Sequence, residues 1–128
     1  MRTDAQLLSC ALALLATPAD ACGRGPFTVE TWNVEPARDG FVRLTAELRL
    51  KAEHSVRMVE GEIWFSDALG RLIGGIPLDP DLAMVPSQLT QAAGHQPAGR
   101  FLTADQADMH VEPCVRAVIY EDGSVERF

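Results

Sequence analysis

Phe41-Val42-Arg43-Leu44-Thr45-Ala46-Glu47-Leu48-Arg49-Leu50-Lys51 alternates apolar and polar residues without a break. Side chains in a strand point to opposite faces in turn, so Val42, Leu44, Ala46, Leu48 and Leu50 fall on one face. Arg43, Thr45, Glu47, Arg49 and Lys51 fall on the other. A helix would scatter those charges around its whole circumference, so this is a half-buried strand with one wet face. Upstream, Phe27-Thr28-Val29-Glu30-Thr31-Trp32-Asn33-Val34 is rich in β-branched and aromatic residues and stops at Glu35-Pro36. The Asp39-Gly40 turn signal between the two runs predicts a hairpin.

The same chemistry repeats downstream. Val56 to Asp67 reads as a strand, with Val59, Gly61, Ile63 and Phe65 facing in and Glu60, Glu62 and Trp64 sharing the opposite face. Asp67-Ala68-Leu69-Gly70 is a turn, and Arg71 to Leu78 returns along the sheet, with Pro77 marking an edge or a strand end. Asp79 to Gly99 shows no sustained period and reads as the longest loop, with a short helix around Ser87 to Ala93. Arg100 to Ala104 follows it. In Val111 to Tyr120, Val115, Ala117 and Ile119 alternate with Arg116, Val118 and Tyr120. Glu121-Asp122-Gly123-Ser124 turns into a last short strand, Val125 to Phe128. Short strands, polar turns and little helix signal predict an immunoglobulin-like antiparallel β-sandwich of about seven strands.

The N-terminal stretch bears on compartment. Arg2 precedes the apolar run Leu7 to Ala16, and Ala19-Asp20-Ala21 supplies small residues at the A-x-A spacing. Together these form a secretory signal peptide over residues 1–21, too short to span a bilayer as a helix. The mature domain is then residues 22–128, in the periplasm or outside the cell. Cys10 leaves with the leader, and Cys22 and Cys114 remain as an even pair for a disulfide. That bond closes a loop over most of the mature chain and is worth on the order of 4 kcal/mol. A lipid anchor on Cys22 is the competing reading. It is disfavoured because the aliphatic residue usual three places earlier is missing, and because Cys114 is then left unpaired.

Composition excludes some functions. Acidic residues outnumber basic ones 18 to 11, for a net charge of −7 and a pI near 4.8. A chain this acidic repels a phosphate backbone, which argues against nucleic acid. No G-x-S-x-G, G-x-x-x-x-G-K, H-E-x-x-H or C-x-x-C is present, so no enzyme class and no cofactor is indicated.

The run Gly61-Glu62-Ile63-Trp64-Phe65-Ser66-Asp67-Ala68-Leu69-Gly70-Arg71-Leu72, followed by Pro97-Ala98-Gly99-Arg100-Phe101, resembles bacterial exported domains of the FxLYD type. The resemblance covers about half the mature chain. It departs at Ser66, where that family prefers Tyr, and in the longer 79–99 segment. It implies an immunoglobulin-like sandwich acting as an accessory or binding module, with no catalytic residues to carry over.

Candidate chemistry is sparse. Asp108, His110 and Glu112 share one face if their strand begins early, but the span is too long for all three to hold one ion. The expectation is a small periplasmic metal-binding site of His110 with Asp108 or Glu112, joined by His54 or His95. Glu60 and Glu62 beside Trp64 have the residue types of acid–base chemistry on a sugar, though Trp32 and Trp64 read better as packing. Asp79 and Asp81 around Pro80, with Asp67, offer oxygens to calcium but lack the spacing of a calcium loop. The preferred expectation is an exported, non-catalytic binding module. It engages a protein or envelope-assembly partner through a sheet edge or the 79–99 segment, with Leu82, Met84, Val85, Leu89 and Trp64 as anchors.

Overall fold

The computed structural model describes residues 22–128, so the leader expected at 1–21 lies outside the described residues. Seven strands follow in order: β1 Phe27–Pro36, β2 Phe41–Leu50, β3 Val56–Ser66, β4 Leu72–Pro77, β5 Leu89–Pro97, β6 His110–Tyr120 and β7 Val125–Arg127. They form a three-stranded sheet, β1-β2-β5, and a four-stranded sheet, β4-β3-β6-β7, antiparallel throughout. The chain crosses between sheets after β2, β4 and β5, the Greek-key connectivity expected of an immunoglobulin-like sandwich.

The hairpin read from Asp39-Gly40 is present. Both residues take left-handed φ, 58° and 74°, which Asp and Gly tolerate better than other residue types. Every apolar residue of the alternating run from Val42 to Leu50 is buried against the facing sheet. Ile63, Phe65 and Ile76 answer from the other side. Phe65 sits at the centre, edge-on to Trp32 and to Phe101, each at 5.7 Å between ring centroids. Trp32 therefore packs against the core, as read.

Four bulges interrupt the pairing within single strands. The register skips Glu30 in β1, Arg57 in β3, Ile73 in β4 and Arg116 in β6. Because side chains alternate with period two, one extra residue moves everything beyond it to the other face. Thus Val29 points in, and after the bulge Trp32 and Val34 do. In β6, Val115 points in, but Val118 and Tyr120 follow it rather than Ala117 and Ile119. The unbroken period read for that strand is corrected here: Ala117 and Ile119 lie half-buried on the outer face.

A second correction concerns the 79–99 segment. Its second half is β5, paired over nine residues with β2, and no helix forms at Ser87 to Ala93. The inward residues of β5 are Thr90, Ala92, Gly94 and Gln96, too small or too polar to show as apolar alternation. β4 packs against this side: a Cβ on Gly94 would make ordinary contact with Ile76, at 3.5 Å. Gln96 reaches across to that strand, where its Oε1 accepts the Gly75 N–H at 3.1 Å, and its amide lies over Gly74 where no side chain intervenes.

Candidate functional site

The sandwich has four edge strands, and three carry the devices that stop a foreign strand from pairing. β1 is interrupted by the Glu30 bulge and ends in Glu35-Pro36. β4 is six residues long, with an irregular register and a terminal proline. β7 has three residues, two of them charged.

The remaining edge, β5, shares with β1 and β4 a terminal proline, Pro97, but has no bulge, no carboxylate, lysine or arginine, and no shortness to protect it. Its sequence is Leu-Thr-Gln-Ala-Ala-Gly-His-Gln-Pro, it contains no Asp, Glu, Lys or Arg, and it pairs with β2 in unbroken register from Leu89 to Pro97. Beside its middle lies a groove of about 480 Å³ lined by Pro77, Leu78, Leu82, Gln91, Ala92 and Ala93. Asp79 shapes the groove's rim by accepting the Asp81 N–H at 2.9 Å, while the Leu82 N–H closes a turn onto the Asp79 carbonyl. The groove combines apolar Leu78, Leu82 and Ala92 with polar Asp79 and Gln91, a mixed surface beside the open strand.

The expected anchor residues separate into distinct roles. Leu82 is half-buried in the groove wall, Leu89 opens β5 at 49% exposure, and Val85 stands at 44% on the crossing between β4 and β5. Met84 is fully buried and exchanges two backbone hydrogen bonds with Val56, so it fixes the segment and presents nothing to a partner. Trp64 belongs elsewhere, half-buried on the outer face of the four-stranded sheet, where its ring lies near Gly75. The reading that missed Gln91 and Ala93 had one usable signal: from Leu82 to Gly99 the chain carries no Asp, Glu, Lys or Arg.

The metal candidates do not converge. β6 begins at His110, so Asp108 is not on the strand but in a 3₁₀ turn, Gln106–Asp108, held by the Asp105 carboxylate accepting the Ala107 N–H. Glu112 is paired with Arg24 at 3.6 Å. His54 lies between β2 and β3, and His95 stands opposite Arg43. Among the described residues no three His, Cys, Asp or Glu side chains come together as a metal site. Glu60 and Glu62 share a face with Trp64, as alternation requires. They line one open surface, however, and not the opposite walls of a cleft that glycoside hydrolysis uses.

Asp67, raised above as a calcium ligand, is committed within the fold. The backbone N–H groups of Arg71 and Leu69 donate to its Oδ1, and the guanidinium groups of Arg100 and Arg71 sit 2.8 and 3.3 Å from Oδ2. The Arg71 N–H and then the Arg100 side chain hold its carboxyl down at about 2. At the far end of the sandwich, the Ser124 hydroxyl and N–H lower Asp122, while burial and then the nearby Glu126 raise the Tyr120 phenol. These groups staple turns and strand ends; none faces the β5 groove.

Cys22 and Cys114 are joined, with Cα atoms 5.1 Å apart, using the sulfur that a lipid anchor on Cys22 would need. No helix among the described residues is long and apolar enough to cross a membrane. Comparison with protein-family models, curated proteins and solved structures finds no match to this chain.

Proposed function

We propose that this chain is an exported, non-catalytic accessory module of the periplasm or cell exterior, and that it binds a protein partner by accepting an extended strand on the edge of β5. The observation that carries the reading is the contrast among the four edges: β5 alone is long, in register and uncharged. Backbone hydrogen bonds from the added strand supply affinity, and the groove beside Gln91 and Ala93 takes its alternate side chains. Leu82 and Leu89 flank that path, which keeps them as partner-contacting residues. The Cys22–Cys114 disulfide supports the oxidising compartment, and the A-x-A leader supports the route to it. The resemblance to FxLYD-type domains points to the same accessory role.

The test is an Ala93→Lys substitution, which sets a charge on the exposed side of the open strand. Partner capture from the host's envelope extract is expected to be lost while the melting temperature is unchanged. In the wild-type complex, amide exchange over residues 89–97 is expected to slow. A variant that captures the same protein equally well, with β5 exchange unaltered, overturns the strand-addition reading.

A further inference from the structure

The two outer faces of the sandwich differ in kind. On the three-stranded sheet, β2 presents Arg43, Thr45, Glu47 and Arg49, flanked by Glu35, Asn33, Thr31 and Thr28 on β1. This surface is largely polar, with Leu89, Ala93 and Phe41 at its β5 side and end. On the four-stranded sheet, cross-strand partners share a side, so the register lays out the face row by row. Met58, Ile119 and Val125 form one row, with Met58 37% and Val125 54% exposed. Glu60, Ala117 and Arg127 form the next, and Trp64 lies opposite Glu112, which holds Arg24. The first two rows border an open groove of about 500 Å³.

The columns of this face complement each other. Along β3 run Met58, Glu60, Glu62 and Trp64: apolar, acidic, acidic, aromatic. On the far side of β6 run Val125, Arg127 and then Arg24: apolar, basic, basic. Among the described residues, Glu60, Glu62 and Arg127 belong to no ion pair within the chain.

A two-fold axis lying between two stacked faces and parallel to β6 exchanges the two columns. Met58 then meets Val125 of a second copy, Glu60 meets Arg127, and the Arg24 guanidinium meets the Trp64 ring as a cation–π pair. The spacing agrees, since β3 and β7 flank β6 at about 5 Å each, and the exchange superposes one on the other. The acidic residues lie on β3 and the basic Arg127 and Arg24 beyond β6, whose Ala117 and Ile119 separate the two columns, with Arg116 at the β6 bulge beside them. We infer that the outer face of the four-stranded sheet is a self-association surface, on which two copies of this chain stack about a two-fold axis along β6. The proposal does not depend on strand addition at β5, which lies on the other sheet.

The experiment is sedimentation equilibrium of the oxidised protein alongside Glu60→Arg, Arg127→Glu and the double charge swap. Each residue is exposed, so each variant is expected to fold with the same circular-dichroism spectrum as wild type. Wild type is expected to be a dimer. Either single reversal sets two like-charge contacts in each dimer and is expected to weaken association roughly 30-fold, with the double swap restoring it. A wild-type monomer at every concentration up to about 1 mM overturns the proposal. So does a dimer indifferent to Glu60→Arg, or a double swap that stays as weak as its parents, because the contacts then lie elsewhere or do not pair these residues.

Discussion

Replacing Cys22 and Cys114 together by Ala tests what holds the N-terminal segment. The bond joins residues 92 positions apart, so its removal frees a loop covering most of the domain. In the chain-entropy description that restores about 4–5 kcal/mol of freedom to the unfolded state. The native side has little to offset it. Beyond the disulfide, Gly23 is held by two backbone hydrogen bonds with Val115, at 3.0 and 2.7 Å, and by contact with Phe128. Two such bonds are worth about 1 kcal/mol each, against about 1–2 kcal/mol per residue to order the backbone. Residues 22–24 should therefore fray once the sulfur link is gone. For a domain of about 100 residues the loss corresponds to a fall of about 20 °C in Tm. Circular-dichroism melts of the double variant and of reduced wild type should agree, both well below oxidised wild type. Amide exchange at Val115 should also accelerate, because its N–H donates to the Gly23 carbonyl. A fall below about 5 °C would refute the reasoning, since the segment would then be anchored by packing and not by the cross-link.

Asp67→Asn removes a carboxylate whose folded pKa of about 2 lies below its ordinary value of 3.8. A depressed carboxylate contributes stability that is full above about pH 4 and disappears as the pH falls toward 2. Urea melts of the Asn variant should therefore lose less stability between pH 6 and pH 2.5 than wild type, and equal losses would deny the carboxylate its role. Phe65→Ala empties the centre of the core and should cost about 3–5 kcal/mol, with a change in Trp32 emission as its edge-on neighbour goes. Gly74→Ala should destabilise by about 1 kcal/mol by displacing the Gln96 amide from its bond to Gly75. In a Gln96→Ala background the same change should be nearly neutral, and additive costs would show that the two residues do not interact.

The strands visible in the sequence were those whose inward residues are large. Val42 to Leu50 and Val59 to Phe65 state their period outright, because each inward position must fill the space between two sheets. β5 was hidden because its inward residues, Thr90, Ala92, Gly94 and Gln96, are small or polar and carry no hydrophobic period. The bulges at Glu30, Arg57, Ile73 and Arg116 were hidden for another reason. A single inserted residue leaves composition unchanged and reveals itself only through its partner strand, which a local pattern does not contain. The anchor residues divided along the same line. Leu82 and Leu89 border the open edge, whereas Met84, equally apolar and two residues from Leu82, was drawn inward by its hydrogen bonds to Val56. Apolar character in a connecting segment marks either a contact surface or a plug, and backbone pairing decides between them.

The two proposed surfaces bear on each other through geometry. β5 is an edge of the three-stranded sheet, and the self-association face is the outer side of the other sheet, so neither covers the other. A two-fold stack therefore leaves one open β5 edge on each copy. A partner carrying two extended segments, or one fixed in an array, would bind the second edge intramolecularly, with an effective concentration set by the span between them. The charge-swap variants separate this gain from intrinsic affinity. Glu60→Arg should leave binding of a single strand-forming peptide to β5 unchanged while lowering retention on a surface dense in that peptide. The double swap should restore retention. If Glu60→Arg weakened the single-peptide measurement as well, the two surfaces would be coupled through the core, and simple bivalency would be the wrong account.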